Sequence, residues 1–101
     1  MATRINQAAL VLAVRKACQS QIDDHMLLGG PDPLLYASSD YEAATICGAD
    51  TLSVSAWAGY RGNTIHSRLH RLWRSGELIR VGNGRKKYRW WPMNFFQEVS
   101  K

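Results

Sequence analysis

Polar and basic side chains fall on one side of a helix that the sequence predicts over residues 63–75. With Ile65, Leu69 and Leu72 turned inward, a helical wheel places the following side chains on the opposite face: Asn63, Ser67, His70, Arg71 and Arg74. Thr64 and Arg68 lie on its flank. Arginine and asparagine can form paired hydrogen bonds with the edges of guanine and adenine, respectively. The residue types and their spacing therefore indicate a face that can contact nucleic acid.

Two helices separated by a glycine turn must position this face. Asp50 or Thr51 can cap a first short helix, and Val54 and Ala58, four residues apart, give it an apolar side. Gly59 can end that helix in a left-handed conformation, which costs glycine no steric penalty. Asn63 is predicted to cap the second helix, which runs to Ser75 and stops at Gly76, with Trp73 extending its apolar stripe.

A β-hairpin is predicted directly after these helices. Two short β-type runs, Leu78–Val81 and Lys87–Trp91, flank the turn signal Gly82-Asn83-Gly84. Because neighbouring residues of a strand face opposite sides, one of Trp90 and Trp91 should pack inward, and the other should be exposed or covered by a partner. Trp57 and Trp73 are expected to belong to the core.

The stretch from residue 50 to residue 91 resembles the winged helix-turn-helix transcription regulators of bacteria, archaea and their phages. In that family a small residue, a glycine, an aliphatic residue and two leucines hold the two helices together, and here these are Ser55, Gly59, Ile65, Leu69 and Leu72. Ser55 replaces the usual alanine, and Gly62 is unusual just before the second helix. The resemblance implies an α+β fold, mostly α, with a winged helix over 39–91, an extra N-terminal helix and a two-stranded basic wing.

The resemblance also implies a function, which is sequence-specific binding of double-stranded DNA by a transcription regulator of phage or prokaryotic type. The recognition helix 63–75 would enter the major groove, and the wing 82–87 would lie on the flanking backbone or minor groove. We expect Asn63, Thr64, Ser67 and Arg71 to reach bases, because the first turns of a recognition helix point most directly at base edges. Three further cations complete this surface: Arg68 on bases or phosphates, Arg61 on a phosphate near the helix N-terminus, and Arg74 on the outward face.

The predicted wing supplies a second group of contacts. Its glycines allow a tight turn, and its cations suit a minor groove or its phosphates. The residues expected to contact DNA there are Asn83, Arg85, Lys86 and Lys87.

Charge is divided unevenly between the two halves of the chain. Residues 51–101 hold ten Lys and Arg against two acids, whereas residues 1–50 hold three against six, which agrees with the net charge of +5. A basic half joined to an acidic half indicates that only one half meets a polyanion.

The remaining segments complete a single predicted domain over 1–101. A helix is predicted over 5–26, from Ala8, Val11, Val14, Cys18 and Ile22 at three- and four-residue spacing. A Pro/Gly loop over 27–38 and a capping box from Ser39 to Glu42 follow, and the box should begin a helix that ends near Gly48. The N-terminal helix and an apolar tail over 92–101 would either form a homodimer interface or cover each other within one chain.

Several classes of function find no support in the sequence. His66 and His70 have metal-ligand spacing, but no neighbouring Cys, Asp or Glu completes a site, so we expect no metal and no cofactor. No catalytic motif is present, and a non-enzyme without a small-molecule ligand is predicted. No segment has the run of about 20 apolar residues that spans a bilayer, so a cytoplasmic protein is expected, with Cys18 and Cys47 as reduced core thiols. The alternative function is a winged helix that acts as a protein-binding adaptor or inhibitor.

Overall fold

The computed structural model describes residues 6–60, 62–82 and 88–95, with the backbone alone for residues 62–64. The fold is α+β and mostly helical, with a small three-stranded antiparallel sheet. The elements in chain order are α1 (Gln7–Leu27), α2 (Pro33–Tyr36), α3 (Asp40–Cys47), β1 (Ala49–Asp50), α4 (Thr51–Ala58), α5 (Gly62–Arg74), β2 (Leu78–Val81) and β3 (Arg89–Pro92).

Helix α1 supplies a large part of the core. It begins at Asn6, whose side-chain oxygen accepts a hydrogen bond from the Ala8 amide at 2.8 Å. Its buried residues recur every three or four positions and are Leu10, Ala13, Val14, Ala17, Cys18 and Ile22. The prediction of a helix over 5–26 agrees with these bounds. The predicted stripe was partly wrong, because Ala8 is exposed and Leu10 takes its place in the core.

Local capping side chains explain α2 and α3. The Asp32 carboxylate accepts from the Leu34 amide and starts α2, so the predicted loop over 27–38 contains one helical turn. Ser39 caps α3 as expected, accepting from the Glu42 amide at 3.2 Å. The Glu42 carboxylate reaches back to Ser38 rather than to Ser39, which moves the second bond of the capping box one residue earlier.

The sheet has one strand more than the sequence predicted. Its order is β1-β3-β2, with Ala49 opposite Trp90 and Ile79 opposite Trp91. Strand β2 has the predicted bounds, and β3 begins at Arg89 rather than at Lys87. Because β1 has only two residues, no alternating pattern could reveal it, and it exists through its pairing with β3.

Trp90 and Trp91 are both fully buried within one chain, which corrects the expectation that one of them would be exposed or covered by a partner. They do face opposite sides of β3, but both sides are covered. The ring of Trp90 lies 5.1 Å from that of His70 in α5, and the ring of Trp91 stacks on Phe95 at 4.9 Å between centroids. The chain therefore folds back after β3 as far as Phe95, and the rest of the predicted tail lies outside the described residues.

This packing bears on the predicted dimer surface. Leu10, Val14, Ile22 and Phe95, which contributed to that prediction, are buried within a single chain, although Leu12 remains exposed. For these buried residues the other alternative applies, in which the N-terminal helix and the tail pack within one chain.

Both cysteines are buried free thiols, as the sequence predicted. The Cys18 thiol donates to the backbone carbonyl of Trp90 with a sulfur–oxygen distance of 3.1 Å. Burial raises the pKa of Cys18 to about 12, and burial likewise raises the pKa of Cys47. Both groups are therefore neutral at physiological pH.

The described helices are all too short or too polar to cross a bilayer.

Candidate nucleic-acid interface

The turn between α4 and α5 sets the direction of the polar helix face. Gly59 ends α4 with φ of 79°, in the left-handed region where a side chain would be strained. The amides of Gly59 and Tyr60 both donate to the carbonyl of Ser55, at 2.8 and 3.3 Å. The hydroxyl of Ser55 then donates to the carbonyl of Tyr60 at 2.6 Å. The side chain of Ser55 thus adds a hydrogen bond that closes this turn.

The apolar side of α5 fixes which residues face outward. Ile65, Leu69 and Leu72 are buried, as predicted. Trp73 is half-buried and packs against the core. Since one side of the helix is committed to the core, the other is left for solvent or a partner.

Three of the predicted DNA contacts lie together on that outward side. Ser67, Arg71 and Arg74 are exposed, and Arg68 is half-buried beside them. The helix carries three arginines and no acidic residue along its whole length. This face is therefore a strip of positive charge that no carboxylate of the same helix offsets.

The remaining predicted contacts cannot be placed in the same way. Arg61, Asn83, Arg85, Lys86 and Lys87 lie outside the described residues, and so do the side chains of Asn63 and Thr64. Helix α5 starts at Gly62, so Asn63 lies inside its first turn and does not precede it as the predicted cap. The segment predicted as the wing joins β2 to β3, and these strands pair in register from Leu78 with Pro92 to Val81 with Arg89.

A cluster that the sequence did not predict joins α5 to this strand pair. We call it the Arg80 cluster, and it consists of His66, His70, Trp73, Arg80 and Tyr88. The Arg80 guanidinium lies 3.5 Å from the centroid of the Trp73 ring and 4.3 Å from that of Tyr88. A cation between two aromatic faces is held by the quadrupole of each ring. The helix is thereby braced against both strands.

His70 was placed on the outward polar face by the helical wheel, and this was wrong in part. The side chain is half-buried, and its Nδ1 lies 3.0 Å from the guanidinium of Arg80. Burial, assisted by the nearby His66, Arg80 and Arg74, lowers the pKa of His70 below its usual value.

Trp57 was expected in the core, but 52% of its surface is exposed. It lies on α4 beside a shallow groove, which it lines together with Lys16, Gln19, Ser20 and Asp23. A residue with an exposed aromatic ring next to α1 is available for contact with a partner rather than for stabilising the core.

Among the residues that the structure describes, no group of three or more His, Cys, Asp or Glu side chains is arranged to hold a metal ion. The Nε2 atoms of His66 and His70 lie 2.9 Å apart, but they form a pair without a third ligand of these types.

A scan against protein-family models gives no match, and searches of the curated proteins and of the solved structures give no significant match either. The geometry of α5 and of the strands beside it is therefore the basis on which function has to be argued.

Proposed function

We propose that this chain is a winged helix-turn-helix protein that binds double-stranded DNA sequence-specifically and regulates transcription. The observation that carries the proposal is the outward face of α5, where Ser67, Arg71 and Arg74 are exposed on a helix without acidic residues. An α-helix fits the major groove of B-DNA, and arginine there can bind guanine through two hydrogen bonds.

The fold supports the same proposal. Helices α3, α4 and α5 precede an antiparallel strand pair, and the left-handed glycine between α4 and α5 matches the expected turn. In this proposal α4 crosses the DNA backbone, α5 lies in the major groove, and the connection between β2 and β3 forms the wing.

The predicted contacts divide between the bases and the DNA backbone. Arg71 reads a base, together with Ser67, Asn63 and Thr64 near the start of the helix. Arg61 and Arg74 contact phosphates, and the wing contacts the flanking backbone or the minor groove through Asn83, Arg85, Lys86 and Lys87. Arg68, on the flank, serves either role. The protein acts in the cytoplasm as a homodimer that reads two half-sites.

Selection from a pool of random duplexes, followed by salt titration of the selected site, tests the proposal. We expect an enriched motif and a log–log salt slope of about −0.9 for each phosphate that is contacted. Recovery of no motif, together with no measurable affinity at low salt, would overturn it. Affinity without any motif would overturn the sequence-specific part alone.

A second candidate function is a protein-binding adaptor or inhibitor, and one feature of the structure favours it. Four large apolar residues from the last residue of α1 to the end of α2 are mostly exposed: Leu27 (85%), Leu28 (88%), Leu35 (77%) and Tyr36 (72%). We call this set the apolar end. It belongs to the segment over 17–50, which has six acids and no Lys or Arg and is unsuited to DNA. Substituting Leu28 and Leu35 by Ser should leave the affinity for a duplex with a single half-site unchanged if the first proposal holds, because the apolar end then contacts protein and not DNA.

A further inference from the structure

The histidines of the Arg80 cluster form a continuous chain of polar contacts. Nε2 of His66 lies 2.9 Å from Nε2 of His70, and Nδ1 of His70 lies 3.0 Å from NH1 of Arg80. Both distances are those of direct hydrogen bonds. The order along the chain is therefore His66, His70, Arg80.

Because arginine can only donate hydrogen bonds, its contact with His70 determines which ring nitrogens of His70 and His66 carry a proton. A guanidinium group has donors only, so Nδ1 of His70 must be the acceptor and carries no proton. The proton of neutral His70 then lies on Nε2, which donates to His66. Nε2 of His66 must in turn be unprotonated, so neutral His66 carries its proton on Nδ1. Only this one arrangement of two neutral rings satisfies both contacts.

Adding a proton to either ring breaks one of these contacts. A proton on Nδ1 of His70 would face an N–H group of Arg80, and a proton on Nε2 of His66 would face the N–H group of His70. In each case two donors oppose each other, and a positive charge is added next to Arg80 and Arg74.

The loss of either hydrogen bond affects the packing of α5, because His70 lies among aromatic rings from other elements. Its ring meets those of Trp90, Tyr88 and Trp73 edge-on, with centroids 5.1, 5.3 and 6.3 Å away. His70 thus contacts β2 through Arg80 and β3 through Trp90. The titratable and charged groups that face it are His66 and Arg74 from α5, Arg80 from β2, and Tyr88 just before β3.

We propose that the His66–His70–Arg80 chain is a pH-sensitive brace, which holds α5 at a fixed angle to the strand pair when both histidines are neutral and releases it when either is protonated. The brace itself is a property of the free protein. Its effect on DNA binding rests on the proposed function, since the brace joins α5 to the two strands that flank the proposed wing.

The direction of titration agrees with this geometry. The lowered pKa of His70 means that the folded state favours the neutral ring more than the unfolded state does. This stabilisation is fully present above the unfolded value of about 6.5 and is lost as the pH falls from there through the folded pKa. The brace therefore weakens on acidification.

A bound metal would be a different use of the same two nitrogens, and the cluster opposes it. A metal between the two Nε2 atoms would take both lone pairs and move the His70 proton to Nδ1, where Arg80 already donates. The nearby arginines also repel a cation.

Nitrogen NMR of the histidine side chains in the free, full-length chain tests the brace. At about pH 8 we expect His70 as the Nε2–H tautomer and His66 as the Nδ1–H tautomer. On acidification the His70 pattern should be replaced by that of a doubly protonated ring only below the ordinary histidine pKa of about 6.5, with concurrent shifts of the Trp73 and Trp90 indole signals. An Nδ1–H tautomer of His70 at high pH would overturn the proposal. Indole signals that do not shift when His70 is protonated would also overturn it.

Duplex binding by the same chain tests the coupling to function. As both histidines gain protons, the salt slope should steepen by up to about two units, and the preference for the selected site over a random duplex should fall at least about threefold. His66→Gln/His70→Gln should remove this pH response, since glutamine can donate and accept without charge. His25→Gln, on α1, is the matched control and should keep it.

The two levels of the proposal fail in distinguishable ways. A chain that shows the predicted tautomers but binds no duplex at any pH would contradict the proposed DNA-binding function and support the brace. A chain that binds its site with the same preference at both pH values would overturn the coupling.

Discussion

The indole Nε1 of Trp91 donates to Oδ1 of Asp40 at 2.9 Å, which ties β3 to the first residue of α3. Its neighbour Trp90 makes the equivalent bond to the hydroxyl of Thr51, the first residue of α4, at 3.0 Å. Two adjacent side chains on opposite faces of one strand thus fix the starts of two helices. The polar atom of each buried ring is satisfied, so the rings contribute apolar area without an unpaired donor.

Loss of the Asp40 acceptor should destabilise the fold. Asp40→Ala leaves the Trp91 N–H without this partner in a buried position, which costs about 1–3 kcal/mol of unfolding free energy. Urea unfolding followed by tryptophan fluorescence measures the change. Asp40→Asn keeps the acceptor and should lose only about 0.3–1 kcal/mol, from the missing charge at the helix N-terminus. Equal losses in the two variants would show that the hydrogen bond contributes little.

Arg71→Ala should weaken specific DNA binding by roughly 1–3 kcal/mol and relax the preference at one base pair. The reason is that Arg71 is exposed on the outward face of α5 and can reach a guanine edge. Competition mobility shifts against single-base variants of the selected site measure both effects. Lys16→Ala removes an exposed charge from α1 and should change neither. A uniform loss on all sequences would assign Arg71 to a phosphate, and no loss would contradict the proposed docking.

The wing prediction rests on the sequence, because residues 83–87 lie outside the described part of the chain. Replacing Arg85, Lys86 and Lys87 together by alanine should lower affinity for every duplex and flatten the salt slope by up to about three units. The fold should persist, since surface changes usually alter stability by no more than about 0.5 kcal/mol each. Binding isotherms at several salt concentrations supply the slope. An unchanged slope would remove the hairpin from the interface.

Both thiols should be nearly inert in the folded protein. Cys18 has a pKa of about 12 and Cys47 is also buried, so neither offers a thiolate or an accessible sulfur. We expect a thiol reagent at pH 8 to react at least about a thousandfold more slowly than in concentrated guanidinium chloride, because reaction must await opening of the core. Above pH 9 the raised pKa of Cys18 becomes a destabilising influence, which grows until the folded pKa is reached. One rapidly reacting thiol in native conditions would contradict the packing.

We expect the protein to form a homodimer in solution. The exposed residues of the apolar end are candidates for its interface, because Leu10, Val14, Ile22 and Phe95 are already buried within one chain. Sedimentation at micromolar concentration should show a species of about 23 kDa, twice the 11.4 kDa of the chain. Leu28→Ser should shift it towards the monomer, whereas Leu12→Ser, also exposed but on the N-terminal half of α1, should not. A species of 11.4 kDa with and without DNA would end this prediction.

Much of the local structure could be read from the sequence because the signals are local. Ser39 and Asp50 do cap helices, Gly59 and Gly76 do take positive φ, and the stripe of Ile65, Leu69 and Leu72 does face inward. Each depends on residues within one or two turns of the chain. Of the candidate site, the exposure of Ser67, Arg71 and Arg74 followed from that stripe alone.

Other features depended on contacts between distant residues and could not be predicted. The pairing of β1 with β3 joins Ala49 to Trp90, and nothing near Ala49 marks it as a strand. The burial of both Trp90 and Trp91 required knowledge that helices and the returning chain cover both faces of the sheet. Arg80 appeared to be one more surface cation, and its position between Trp73 and Tyr88 emerges only once β2 is packed against α5.

The central position of β3 has a consequence for how the chain acquires its structure during synthesis. Of the described strands, β3 leaves the ribosome last, yet both other strands pair with it and two helix starts are bonded to its side chains. A nascent chain that ends before residue 89 therefore holds the glycine turn and the amphipathic helix α5 but lacks the strand with which the other described strands pair. Affinity for DNA should emerge abruptly with the final strand rather than gradually with length.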